Sequence, residues 1–212
     1  MFPLLAALLL VSAFAKAQND PKAKALLADV SEQVKTYDNV VIDFKYAINN
    51  EENGLSQETR GDVTLEGEKY VMNLMGATQM YDGKKLYVIS NEDEEVTIST
   101  VAPGDDDAIT PSKMLTFFNK GYTYKWDIVQ NSKGRKIQYV KLIPIDSKSE
   151  FKQALLGIDS QTKNIYKLIL TQNNGTRITI TVNGFKTNQP LAKNTFTFDE
   201  SRYEGYYINR LD

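Results

Sequence analysis

The chain has 212 residues, 42% of them hydrophobic and 25% charged, with a formal net charge of −2. That is enough for one well-buried globular domain, with an ordinary balance for its class. Lys and Arg are spread among Asp and Glu, so composition carries no footprint for nucleic acid. Cysteine and histidine are both absent, which excludes thiolate nucleophiles, disulfides, Cys/His zinc sites, any Ser-His-Asp arrangement and a lipid-modified N-terminal cysteine.

Leu4 to Val11 is a short apolar run, followed by Ser12-Ala13-Phe14-Ala15-Lys16-Ala17. Ala15 and Ala17 fit the small-residue cleavage pattern of an export signal, although the only positive charge ahead of the run is the α-amino group. The run is too short to span a bilayer of about 30 Å, and a buried helix is the competing reading. The expectation is a cleaved signal peptide over residues 1–17 and a single exported, soluble domain over residues 18–212.

Asp20-Pro21 predicts a helix start, a capping carboxylate followed by proline at the first helical position. Leu26, Leu27, Val30 and Val34 then share one face up to about Thr36. The first strand, Val40 to Ile48, sets Val40, Ile42, Phe44, Tyr46 and Ile48 against Asp43 and Lys45. Strands follow at Leu55 to Leu65, Lys69 to Met75, Thr78 to Tyr81, Lys85 to Ser90 and Glu95 to Val101, with Asp82-Gly83 as a strong hairpin signal. Thr110-Pro111 repeats the cap-plus-proline start and predicts one short apolar helix to Phe118. Further strands are expected at Tyr122 to Gln130, Lys136 to Pro144, Leu155 to Asp159, Ile165 to Gln172, Thr176 to Lys186 and Asn194 to Phe198. About twelve antiparallel strands in so short a span cannot remain a flat open sheet and must curl or split.

Without His or Cys, the remaining catalytic options are paired carboxylates, Ser/Lys dyads and oxygen-ligand metals. Asp105-Asp106-Asp107 lacks the glycine and distal glutamate of a calcium loop and reads as a solvated loop. Asp159 to Asn164 is rich in oxygen donors, and a plain turn with local side-chain bonds explains it. A glycosidase would need two carboxylates facing each other across a cleft; the Asp and Glu that can be placed lie in turns, on a helix surface or on polar strand sides. Asn174-Gly175-Thr176 matches a glycosylation acceptor and equally a hairpin turn. Tyr203, Tyr206 and Tyr207 beside Arg202 and Arg210 suit packing over a sheet edge better than base stacking. No metal and no cofactor are expected.

The positive signal is apolar surplus on both sides of some strands. Methionines (Met72, Met75, Met80, Met114) and long aromatics suit an adaptable lining for a flexible apolar ligand, with an ordinary filled core as the alternative.

The order of several local motifs resembles the LolA family of periplasmic lipoprotein carriers. The resemblance rests on Val41-Ile42-Asp43-Phe44-Lys45-Tyr46, Gln57 to Val63 centred on Gly61, Lys69 to Leu74, Tyr81-Asp82-Gly83-Lys84-Lys85-Leu86-Tyr87, Thr110 to Leu115, Val140 to Pro144 and Asn194 to Phe198. It implies a mainly β protein, an antiparallel incomplete β-barrel with a helical lid over an apolar concave face. It also implies a non-enzymatic, periplasmic function: shielding the acyl chains of lipoproteins between an inner-membrane ABC transporter and an outer-membrane acceptor, protein or bilayer, as a monomer. Two or three acyl chains hold roughly 30 to 45 methylenes, so their full exposure costs on the order of 25–35 kcal/mol. Many family members place an arginine just before the third strand to hold the lid; here that stretch reads Leu65-Glu66-Gly67-Glu68-Lys69. The tyrosine-rich tail also departs from the family pattern.

On this reading the cavity is lined by Phe44, Tyr46, Val63, Leu65, Tyr70, Met72, Leu74, Met80, Leu86 and Val88. Met114, Leu115, Phe117 and Phe118 form the lid. A one-residue slip in register would invert the choice of face. The alternatives are a sensor or shuttle for other lipids, a secreted carboxylate-dependent hydrolase, and an adhesion module with a filled interior.

Overall fold

A computed structural model describes residues 19–101 and 110–211. The expected signal peptide and the Asp105–Asp107 loop lie outside the described residues. Helix α1 (Pro21–Lys35) starts where Asp20 accepts hydrogen bonds from the amides of Lys22 at 2.8 Å and Ala23 at 3.2 Å, with proline in the first turn. Its apolar face buries Ala23, Leu26, Leu27 and Val30.

Among the described residues twelve strands form one sheet: β1 (Val40–Asn50), β2 (Leu55–Glu66), β3 (Lys69–Leu74), β4 (Ala77–Tyr81), β5 (Lys85–Ser90), β6 (Glu95–Thr100), β7 (Tyr122–Ser132), β8 (Arg135–Pro144), β9 (Phe151–Asp159), β10 (Ile165–Gln172), β11 (Arg177–Thr187) and β12 (Tyr207–Leu211). Their spatial order is β12-β6-β5-β4-β3-β2-β1-β11-β10-β9-β8-β7. The end strands β12 and β7 do not pair with each other, so the barrel is incomplete. Successive hairpins build both wings, and β11 returns to lie beside β1 and join them.

Three expectations need correction. Asn194 to Phe198 is a pair of consecutive turns, closed by Thr195 N donating to Ala192 O and Thr197 N to Asn194 O. The alternation of Phe with Thr imitates a strand, but Phe198 is held instead by stacking on Tyr87, ring centres 4.5 Å apart. The twelfth strand is therefore β12, from the tail, and it pairs parallel to β6 where antiparallel strands alone were expected. The helix expected from Pro111 to Phe118 is two 3₁₀ turns, Lys113–Leu115 and Phe117–Asn119, separated at Thr116, whose φ of −138° breaks helical geometry.

Side-chain alternation divides the burial. Over β8, β9 and β10 the concave face packs against α1 and Phe118, with Val140, Leu142, Leu156, Ile158 and Leu168 in the cluster. Over β1, β2 and β3 a second concave cluster gathers Val40, Ile42, Phe44, Val63, Leu65 and Tyr70 with Leu115. On the opposite, convex side, Tyr87, Ile89, Val96 and Ile98 are covered by Phe198, Tyr203, Tyr206 and Ile208. The tail thus packs over the sheet edge, as its aromatic content predicts.

Candidate functional site

Between the two concave clusters lies an apolar cavity of about 280 Å³. Strand β1 contributes Ile42, Phe44 and Tyr46; β2 and β3 contribute Val63, Met72 and Leu74. The other wall comes from β10 and β11, with Ile165, Leu168, Ile180, Val182 and Phe185. Register explains the convergence. Phe44 lies opposite Gly61 on one side and Val182 on the other, and Val63 lies opposite Met72, so these residues occupy one face. Gly61 is required there: a Cβ would sit 2.6 Å from Phe44 Cζ and 2.7 Å from the Asn73 carbonyl oxygen. Among the described residues of the lining, the polar side-chain groups are the Gln79 amide and the Tyr46 hydroxyl, and none carries a carboxylate.

The roof is built from Pro111, Met114 and Leu115. Leu115 packs into the β1–β3 cluster, whereas Phe118 is fully buried in the α1 cluster. The lid residues therefore divide between an anchor and a cover. The Tyr124 hydroxyl donates to the Phe118 carbonyl at 2.8 Å, and Ser31 Oγ donates to Asn119 Oδ1 at 2.9 Å. Phe117 meets Tyr122 edge-on at 5.6 Å. Burial pushes the Tyr122 and Tyr124 phenols up, which favours the neutral hydroxyl that Tyr124 uses as a donor. Where the resemblance leads one to expect an arginine, Glu66 to Lys69 forms a tight turn with Gly67 at φ +58° and an ion pair of 3.8 Å. The cover over the cavity is seated through Met114 and Leu115, by apolar contact.

Of the ten residues expected to line the cavity, Phe44, Tyr46, Val63, Met72 and Leu74 do so. Leu65 and Tyr70 are buried in the same cluster, and Leu86 packs against it; the Tyr70 phenol is pushed up by burial and by the nearby Tyr81. Val88 lies opposite Gln79 and shares its face, outside the lining. Met80 does not belong to this face. It lies opposite Tyr87 and packs with the convex cluster, because Tyr81 pairs with Leu86 across the Asp82-Gly83 turn. The expected grouping of Met80 with Leu86 and Val88 is thereby reversed.

The far wall was missed. Ile178, Ile180 and Val182 alternate plainly in the sequence, but only the sheet order brings β11 beside β1. Elsewhere, Asp159 Oδ1 accepts from the amides of Gln161 and Thr162, a local turn. Among the described residues no group of three or more acidic side chains is placed to hold a metal ion.

An open sheet with a roofed apolar hollow defines a half-barrel able to hold an apolar ligand. The family model for the outer membrane lipoprotein carrier protein LolA matches residues 32–199, and the chain belongs to that family. An outer-membrane lipoprotein carrier protein of Xanthomonas oryzae pv. oryzae (strain MAFF 311018) is 28% identical over 120 residues, 55% of this chain and 54% of the relative. The chain thus spans about half the length of the curated relative it matches. Two solved structures share the fold. An uncharacterized conserved protein from Thermus thermophilus superposes with a TM-score of 0.56 at 10% identity, covering 90% of this chain and 99% of that one. Mycobacterium tuberculosis lipoprotein LppX superposes with a TM-score of 0.54 at 14% identity, covering 82% and 99%.

Proposed function

We propose that this protein is a periplasmic carrier that shields the acyl chains of lipoproteins in the β1–β3/β11 hollow. It would receive them from an inner-membrane ABC transporter and release them at the outer membrane, acting as a monomer and performing no chemistry. The observation that carries the reading is the hollow itself. A sheet that packs its other half solid leaves this half unfilled, lined by hydrocarbon, thioether and aromatic groups and covered by Met114 and Leu115. Family membership supports the cargo class. Among the described lining residues none carries a carboxylate, so the hydrolase alternative finds no support there.

The volume adds a mechanical requirement. About 280 Å³ lies just below the roughly 300–1,000 Å³ of pockets for drug-sized ligands. Two or three acyl chains are larger than that. Leu115 must therefore swing off β1–β3, and Met114 off the edge of the α1 cluster it packs against, while Phe118, buried on the α1 side, keeps the segment attached. Met72 and Met114 can repack around chains of different length at little cost. Release follows from tighter binding at the destination, since transfer depends on a difference of affinities.

Mass spectrometry of the protein purified from its native compartment tests the proposal. Co-purifying acylated peptides support it. Free lipid alone would make the protein a lipid shuttle, and an empty protein that fails to release lipoproteins from inner membranes would defeat the carrier reading.

A further inference from the structure

The near-zero net charge hides a strong asymmetry. From β7 through β11 eleven basic side chains stand against four acidic ones, whereas from β2 through β6 four basic stand against nine acidic. The excess is steepest in the β7–β8 hairpin, where Lys125, Lys133, Arg135, Lys136 and Lys141 face a single acid, Asp127. Asp127 is itself paired with Lys141 at 3.7 Å.

The same hairpin carries an apolar lip. Strand β7 ends the sheet, and Trp126, Ile128 and Val129 on it are 40%, 57% and 46% exposed. The register skips between Trp126 and Val129, which lifts Asp127 and Ile128 out of the ladder. The polar groups of this bulge are satisfied locally. The buried Gln138 amide donates to the Asp127 carbonyl at 2.8 Å, and the Ile128 amide donates to Asp127 Oδ1 at 2.8 Å. A bulge so arranged offers little to an added strand, but it can enter a poorly hydrated layer without stranding these groups.

We propose that the β7–β8 hairpin docks this protein on an anionic lipid bilayer. Trp126, Ile128 and Val129 enter the headgroup region, and Lys125, Lys133, Arg135 and Lys136 rest on the negative surface. Tryptophan is the side chain best suited to that boundary, and basic residues beside an apolar lip match anionic lipid. The proposal deepens the carrier reading, on which it rests for a reason to meet a membrane: Trp126 lies opposite Val140 of the concave cluster, so docking turns the open edge of the half-barrel toward the lipid.

Trp126 is the sole tryptophan, so intrinsic fluorescence reads this lip alone. The purified protein is mixed with vesicles of phosphatidylcholine alone, or with one part in three phosphatidylglycerol, with and without bromine-labelled acyl chains. Blue-shifted, bromine-quenched emission with the anionic vesicles only, reversed by high salt, is the expected result. Lys133→Gln and Lys136→Gln should each weaken partitioning about fivefold, and Ile128→Asp should abolish the shift. Anionic-vesicle binding with Trp126 emission unchanged would overturn the proposal, as would equal binding to both vesicle types. So would salt-sensitive self-association without vesicle binding, which would assign the two charged flanks to each other. Loading of an acylated peptide, measured on the same protein, separates the two readings. Loading without vesicle binding defeats docking and leaves the carrier; vesicle binding without loading does the reverse.

Discussion

Over β8–β10 the concave face is packed solid by α1 and Phe118, whereas over β1–β3 and β11 the same face is left hollow beneath Met114 and Leu115. The two wings therefore differ in how completely the inner face is filled. The packed wing draws on its inner face, where Val140, Leu142 and Leu156 are fully buried. The hollow wing also buries Val40, Ile42, Phe44, Val63, Leu65 and Tyr70 on its inner face, and on β5 and β6 it adds an outer cluster, Tyr87, Ile89, Val96 and Ile98, covered by the tail aromatics. The tail cover on β5 and β6 is a source of stability that does not depend on filling the hollow.

Truncations separate the wings most sharply. Phe118→Ala and Leu156→Ala each remove a fully buried side chain, and should cost about 3–5 and 2–5 kcal/mol in urea unfolding. Met72→Ala, made at the hollow, should cost about 1 kcal/mol or less, because its site is already unfilled and no new cavity need form. Equal losses at Leu156 and Met72 would mean that the hollow is closed in solution. Gly61→Ala comes next. Its methyl would press on the Phe44 ring, which can yield into the hollow, and on the Asn73 carbonyl, which cannot. Overpacking of that kind costs about 1–3 kcal/mol, and a stability change below the fitting error would show that β2 and β3 can separate there.

One side of the hollow was legible in the chain, but its division from a packed wing was not. The alternation of Val40 to Ile48 and of Lys69 to Leu74 placed Phe44, Tyr46, Met72 and Leu74 on the correct face, because one face of a strand is fixed once two neighbours are known. Faces carried across a turn were less secure. Tyr81 pairs with Leu86, so even and odd positions exchange faces between β4 and β5 and Met80 moves outward. Parity depends on turn length, which a hairpin signal alone does not fix. The β11 wall was illegible for a different reason: β11 and β1 are far apart in sequence, and no local pattern says which strands close a sheet. The predicted lid helix is interrupted at a single residue, since the apolar run through Phe118 suits a helix but Thr116, at φ −138°, leaves helical geometry.

The smallest expected effect concerns the outer support of the hollow wing. Asp82 accepts from the amides of Lys84 and Lys85 at 2.8 Å each and from the Tyr87 hydroxyl at 2.9 Å, and Tyr87 in turn stacks on Phe198 of the tail. Burial opposes ionisation of Asp82, but the donated hydrogen bonds outweigh it and hold its carboxyl below the usual value. Burial and the bond to Asp82 push the Tyr87 phenol up to about 12. The signs follow by linkage. As pH falls below the ordinary carboxylate value of 3.8 the unfolded chain takes up a proton first, so the contribution of Asp82 is present above that value and lost on acidification. As pH rises from 10 towards about 12 the unfolded chain releases the Tyr87 proton first, and stability falls again. Asp82→Asn should lower stability by roughly 1 kcal/mol at neutral pH, flatten the acid limb, and bring the Tyr87 titration, followed by tyrosinate absorbance, back towards 10. Because the Asp82–Tyr87 pair meets the tail and not α1, the same variant should speed amide exchange in β5, β6 and β12 while leaving β8 and β9 unchanged. Equal acceleration in both wings would mean that they unfold as one unit, and the tail would then be no separate support for the hollow.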